Sequence, residues 1–314
     1  ERYDQPVLIR LNTKDEVELR SGFPIAAEDL YGYEGIIFDD IEADFFKPDQ
    51  LMLVQRYVAE RGGGFLMLGG GDSMENGKYA RTPVGDMLPL YLDRLAEHRP
   101  ASGYKYELTR EGWLEPWMRL RPTENEERNR ISAIPPFLVL NQLREIKPGA
   151  SVLATVADPF GNKYPAVAMQ RFGNGRTAMV AIGDLFHAGA ENEKAQADLA
   201  KTWRQMLRWL IADVPMQCEI RMQPAAESGE ESSVSLMVRA RDKKFDALEN
   251  ASVQITITGP PMEGKTNQVT IPAEASEKEA GVYSAHYVPR EPGAYRATAV
   301  VTDSAGIKVA EVET

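Results

Sequence analysis

The sequence predicts an α/β domain built on a mostly parallel sheet, followed by an all-β sandwich. Two observations carry this. Up to about Pro215, short apolar runs alternate with helix-length amphipathic stretches, the rhythm of strands joined by crossover helices. Beyond it, apolar and polar residues alternate between Pro/Gly corners with no helical period, the pattern of short antiparallel strands. A length of 314 residues suits two domains, drawn here at residues 1–215 and 216–314.

Gly35-Ile-Ile-Phe38 is an apolar run ending in Asp39-Asp40, as expected of a buried parallel strand. Lys47-Pro48-Asp49 opens a helix, with proline in its first turn. Leu51, Val54, Tyr57 and Val58 place one apolar stripe on it, and Gly62-Gly-Gly64 stops it. Phe65-Leu-Met-Leu68 is a second strand, completing a unit of βαβ length. Strands follow at Ser151–Val156, Ala166–Arg171 and Thr177–Ile182, the last two joined by a Gly173-Asn-Gly175 hairpin turn. A helix over about 193–212 buries Ala195, Leu199, Trp203, Met206, Leu207 and Leu210, and Pro215 lies just past its end. Residues 101–136 break this rhythm with Tyr104, Tyr106, Trp113, Trp117 and a charged run from Glu124 to Arg130. They read as an excursion over the sheet edge; the sharper reading is an aromatic-lined lid or docking surface.

The turn-rich stretch Gln223–Ser233, with its acidic run Glu227–Glu231, reads as a solvated linker or opening loop. After it, Val234, Leu236 and Val238 share a face, as do Val253, Ile255 and Ile257, then Tyr283, Ala285 and Tyr287, then Tyr295, Ala297 and Ala299. Strands at this spacing predict a β-sandwich of immunoglobulin type, held by apolar packing because Cys218 stands alone and the segment has no tryptophan.

Composition removes several classes of function. Lys+Arg 36 against Asp+Glu 47 gives a net charge of −11, which repels a phosphate backbone and argues against nucleic acid as a partner. No run approaches the roughly 18 apolar residues of a membrane span. One cysteine forms no internal disulfide or CxxC pair, and three histidines (His98, His187 and His286) leave little for a histidine-rich metal site. The chain opens at Glu1 without a methionine or a signal segment, so an internal fragment or a processed form is expected. The sequence indicates no cofactor and no metal. Asp39, Asp40, Glu42 and Asp44 read as a solvated strand-end loop rather than a cation site.

Several stretches together resemble a known family. Tyr33–Phe38, Phe45–Leu51, Tyr57–Gly70, Tyr79–Pro89, Leu108–Gly112, Lys147–Leu153 and Trp203–Leu210, in that order and spacing, are similar to a class I glutamine amidotransferase-like domain. The version they resemble occurs in large bacterial membrane proteins with von Willebrand A-type regions. The resemblance covers about residues 7–215 and implies a flavodoxin-like, mostly parallel sheet. It also implies an Ig-like following domain and an extracytoplasmic, periplasmic-side position within a membrane-anchored protein.

A glutaminase of that class needs a cysteine nucleophile on a tight strand-to-helix turn, with backbone N–H groups as oxyanion hole and a distant histidine as base. Here the strand runs into Gly69-Gly70-Gly71-Asp72-Ser73, and no cysteine is there. The expectation is a pseudoenzyme: a non-catalytic binding or scaffold module, open to a protein partner or a small ligand. Gly69, Gly70, Gly71, Asp72 and Ser73 are the candidate ligand-binding residues, their N–H groups forming an anion nest. No catalytic set is favoured. The alternative is an esterase similar to the SGNH type, in which Ser73 attacks, His187 takes its proton and Asp184 orients the imidazole. The plainer readings are a glycine turn needing positive φ or close backbone approach, and a loop at Asp184–His187 capping the last helix.

Overall fold

The computed structural model describes residues 9–94, 103–224, 233–262 and 265–314. The acidic run Glu227–Glu231, most of the linker around it and the first two residues of the 101–136 segment lie outside the described residues. The chain divides into two compact units, Glu1–Pro215 and Met216–Thr314.

In the first unit, α1 (Ala27–Leu30) precedes strand β1 (Gly35–Asp39). Helix α2 (Pro48–Arg56) starts with proline in its first turn, and the Lys47 N–H donates to Gln50 Oε1 at 2.9 Å. It runs on through a π-helical turn, Tyr57–Arg61, and ends at Gly62 in the left-handed conformation (φ 87°). Strand β2 (Gly64–Leu68) is buried over Gly64–Met67. Leu66 packs with Met206 and Leu210, while Phe65 points to the other face and meets Phe38, itself stacked on Phe46 at 4.6 Å. Next come α3 (Pro83–Met87), β3 (Lys105–Leu108), α4 (Arg110–Leu114) and α5 (Glu124–Ser132). Then follow β4 (Ser151–Ala157), β5 (Lys163–Phe172), β6 (Gly175–Val180) and α6 (Glu193–Ile211). The Asn192 side chain caps α6 by accepting from the Ala195 N–H at 3.0 Å. Leu207, expected on the buried face of α6, is exposed, while Trp209 stacks on Trp117 at 4.8 Å.

The six strands lie in the order β1-β2-β6-β5-β4-β3. The pairs β1–β2 and β2–β6 are parallel; β6–β5, β5–β4 and β4–β3 are antiparallel. This corrects the expected flavodoxin-like, mostly parallel sheet. The reason lies in the connections, because a parallel return needs a crossover of a dozen or more residues. β5 and β6 are joined through Gly173-Asn174 alone, with Gly173 at φ 57° in the first central position of the turn. β4 and β5 are joined by the short turn at Asp158, whose Oδ1 accepts the Phe160 and Asn162 N–H groups at 2.9 and 2.8 Å. Both links force antiparallel neighbours.

The second unit contains β7 (Cys218–Pro224), β8 (Val234–Ala240), β9 (Ser252–Met262), β10 (Lys265–Ala275), β11 (Val282–Tyr287), β12 (Arg296–Thr302) and β13 (Lys308–Glu313). They form one antiparallel order, β13-β12-β9-β10-β11-β8-β7, and β13 returns to contact β7, so the sheet is nearly closed and barrel-like. This corrects the expected two-sheet sandwich of immunoglobulin type. β10 makes the difference: it pairs with β9 up to Ala273, then with β11 through Glu274 and Ala275, joining all strands into one order. Leu236, Val238, Ile255, Ile257, Ala297 and Ala299 fill its interior. Alternation of inward and outward residues is common to sandwiches and barrels, so the pattern carried no information on closure.

Candidate functional site

The parallel strands β1, β2 and β6 bring their carboxyl ends together, the edge where α/β sheets place their sites. Three predicted segments therefore converge: Asp40 after β1, Gly69–Ser73 after β2, and Ala181–His187 after β6. A fourth was not anticipated. Residues 136–143 lie alongside, with Leu140 bridged to Ile182 and the Asn141 N–H donating to the Ala181 carbonyl at 2.9 Å.

The glycine turn is a close-approach device. None of Gly69, Gly70 and Gly71 has positive φ; that conformation falls on Asp40 (φ 46°) and Met74 (φ 53°) instead. A Cβ on Gly70 would stand 2.0 Å from Asp40 Oδ1, and one on Gly69 would stand 2.7 Å from the Ala181 carbonyl. A Cβ on Gly71 would meet nothing. Two of the N–H groups expected to form an anion nest, those of Gly70 and Asp72, have partners within the chain. The Gly70 N–H donates to Asn141 Oδ1 at 3.1 Å, and Asn141 Nδ2 returns a bond to the Gly70 carbonyl at 3.2 Å. The Asp72 N–H donates to Asp40 Oδ1 at 2.7 Å. Asn141, 2% exposed, is thus bonded to both the N–H and the carbonyl of Gly70.

Ser73 is 1% exposed, and its hydroxyl donates back to the Leu68 carbonyl. Asp184 is also buried; it accepts the Leu138 and Val139 N–H groups at 2.8 and 3.2 Å. His187 Nδ1 lies 3.3 Å from Asp184 Oδ2, and the imidazole meets the Phe186 ring edge-on at 4.5 Å. The structure therefore pairs two of the three esterase candidates. No hydrogen bond joins Ser73 to His187 among the described residues. The short 3₁₀ turn Leu185–Gly189 begins directly after Asp184; the cap of α6 expected from Asp184–His187 is supplied by Asn192 instead.

Other candidates resolve similarly. Asp40 is engaged by the Asp72 N–H and Asp44 by Lys78. Among the described residues no group of three or more His, Cys, Asp and Glu side chains is placed to hold a metal ion. Cys218 belongs to the second unit, where burial pushes its thiol up to about 11.

Sequence reasoning missed a cavity in the first unit. An apolar chamber of about 70 Å³ is lined by Tyr106, Phe137, Val180, Ile182, Leu199 and Met206, among others. Beside it is a polar cleft of about 470 Å³ between α5 and the start of α6. Arg130, Ile134, Ala188 and Asp198 line both. The mouth is framed by two ion pairs. Arg121 donates to the two carboxylate oxygens of Asp198 from Nη1 and Nη2 at 2.9 and 2.6 Å. Arg130 binds Glu127 Oε1 at 3.0 and 2.6 Å, and the other oxygen of Glu127 accepts the Leu120 and Arg121 N–H groups at 3.2 and 3.0 Å. Glu127 is fully buried. Its only sequence signal is that it shares a face of α5 with Ile131, four residues on.

No family model and no curated protein matches the chain. Solved structures similar to it include two cytoplasmic proteins. One is STM3548 from Salmonella typhimurium, 21% identical over 61% of this chain and 77% of that one, with a TM-score of 0.47. The other is STM1381 from Salmonella typhimurium LT2, 24% identical over 60% and 76%, with a TM-score of 0.44. A β-galactosidase from Bacillus circulans sp. alkalophilus is 19% identical over 81% of this chain but only 33% of its own, with a TM-score of 0.33.

The expected amidotransferase-like domain is corrected by these findings. Nothing in the comparisons supports an amidotransferase or a von Willebrand A association. The geometry agrees: three of the five strand pairs in the sheet are antiparallel, and β2 leads into turns rather than a helix, the next helix being α3 at Pro83. The nucleophile turn of that class has no counterpart. The extracytoplasmic, membrane-anchored position was borrowed from the same resemblance and falls with it. Two of the similar structures are described as cytoplasmic proteins, and among the described residues no helix is long and apolar enough to cross a membrane.

Proposed function

We propose that the chain is a non-catalytic binding module. The observation that carries this is the hydroxyl of Ser73, enclosed and committed to the Leu68 carbonyl. A serine nucleophile needs its Oγ within roughly 2.6–3.2 Å of a base and open to substrate; Ser73 has neither. The strand ends around it are closed by Asn141 and Asp40, so binding falls to the chamber and cleft beside α6.

A second reading keeps one observation in its favour. Asp184 orients His187 as a carboxylate orients a general base, which is two-thirds of a serine esterase. Hydrolysis of p-nitrophenyl butyrate separates the two. The binding-module reading expects no rate above that of the Ser73→Ala variant. Turnover by the wild-type chain that Ser73→Ala and His187→Ala both abolish would replace it with the esterase.

A further inference from the structure

The chamber beneath α6 has a wall of aliphatic and aromatic side chains, including Phe137, Val180, Ile182, Leu199 and Met206. Tyr106 brings a hydroxyl to it that makes no hydrogen bond among the described residues. Burial raises the phenol's pKa, so it stays a proton donor throughout the physiological range. The two charged residues in the chamber wall, Arg130 and Asp198, are already paired. Arg130 is held by Glu127 and Arg121 by Asp198, each through two short bonds. A charged group entering the chamber would have to break one of these pairs, at the cost of a stranded, half-buried ion. Size narrows the guest further. The chamber is about half the roughly 150 Å³ of an engineered apolar cavity that holds benzene, which suits an end group of about three carbons. The larger cleft outside, about 470 Å³, takes the remainder.

We propose that chamber and cleft form one binding site for an uncharged amphiphile, its short aliphatic end in the chamber and its polar oxygen accepting a hydrogen bond from Tyr106. This rests on the reading of the chain as a binding module and names what that module takes.

The test uses the full chain and three small probes that share an isopropyl end: N-isopropylacetamide, isobutyrate and isopropylammonium. Binding is read from the methyl NMR signals of Met118, Ile182 and Met206, which line the chamber. The amide is expected to saturate these shifts in the low-millimolar range, as a ligand of its size allows. The two charged probes are expected to bind at least tenfold more weakly. Tyr106→Phe should weaken the amide about five- to tenfold, the worth of one hydrogen bond, with the urea midpoint kept. Ala188→Leu, which grows a side chain where chamber and cleft meet, should abolish saturation. The site is overturned if the amide does not saturate, if isobutyrate or isopropylammonium binds as well, or if Tyr106→Phe binds the amide unchanged. Each of these outcomes leaves the absence of ester turnover untouched, so the site and the module reading fail separately.

Discussion

Glu127→Ala removes a carboxylate that is wholly buried and accepts four hydrogen bonds: two from the Arg130 guanidinium and one each from the Leu120 and Arg121 N–H groups. The variant strands a guanidinium whose side chain is only 14% exposed and leaves the Leu120 N–H buried without an acceptor. Breaking a buried pair from one side costs about 3–5 kcal/mol, and an unsatisfied buried N–H about 1–3 kcal/mol. The two overlap, because both describe the same lost carboxylate, so about 3–5 kcal/mol is expected in total. With a urea dependence of about 2–3 kcal/mol per molar for a unit of this size, the unfolding midpoint should fall by roughly 1–2.5 M. All four tryptophans (Trp113, Trp117, Trp203 and Trp209) lie before Pro215, so tryptophan fluorescence follows the first unit alone. Glu124→Ala is the control. Its partner Arg128 lies on the same helix, both side chains are at least 60% exposed, and the expected loss is below about 1 kcal/mol. A midpoint for Glu127→Ala within error of that control would refute the reasoning that this carboxylate pins α5 to the segment before it.

Three further expectations follow from equally local geometry. Cys218 is raised by burial to about 11 from a usual thiol value of 9.0, so the folded state retains its proton where the unfolded chain loses it. Stability from this group is complete below pH 9 and is lost between pH 9 and 11; modification by a thiol reagent at pH 8 should be orders of magnitude slower in buffer than in denaturant. In the second unit, the Tyr283 hydroxyl donates to the Leu248 carbonyl at 2.6 Å and accepts the Ala251 N–H at 2.9 Å; Tyr283→Phe should cost about 1–3 kcal/mol, read by far-UV dichroism in urea. Gly70→Ala drives a Cβ into Asp40 and should lower the first unit's midpoint, whereas Gly71→Ala, with open space around it, should not.

What the sequence disclosed was local. The βαβ unit through Leu68, the hairpin at Gly173-Asn174 and the long α6 all follow from apolar periodicity and turn chemistry within a window of about 20 residues. The directions of β3 and β4 did not follow, because they depend on which edges are free when these strands add to the sheet. Ig-like sandwich and nearly closed sheet share one alternation, and the choice is made at two residues, Glu274 and Ala275. At the site, the glycines were legible but their occupant was not. Asn141 reaches them from a segment 70 residues away, through a pairing with Ile182's neighbour that no local pattern encodes. Glu127 was hidden inside a charged run because burial of a carboxylate is a tertiary fact, visible only with its four donors in place.

The role of Ser73 shows how the same turn can look catalytic in sequence and be structural in space. In a nucleophile turn, strain is carried by the reactive residue, whose side chain is thereby thrust out at the sheet edge. Here the left-handed conformation sits one residue later, on Met74, which is fully buried. The Ser73 side chain is turned inward, where its hydroxyl donates to the Leu68 carbonyl at the end of β2, while its own carbonyl accepts the Gly77 N–H at 2.9 Å. Ser73 is a strand-end clasp, and the consequence is measurable. Ser73→Ala should lower the stability of the first unit by about 0.5–1.5 kcal/mol, the net worth of one buried hydrogen bond. Ser73→Thr should restore part of that loss only if the enclosed turn admits the added methyl group, whereas Ser73→Gly should lose more by adding backbone freedom. If Ser73→Ala left the urea midpoint unchanged, the hydroxyl would not be serving the fold, and the claim that its burial excludes it from chemistry would lose its physical basis.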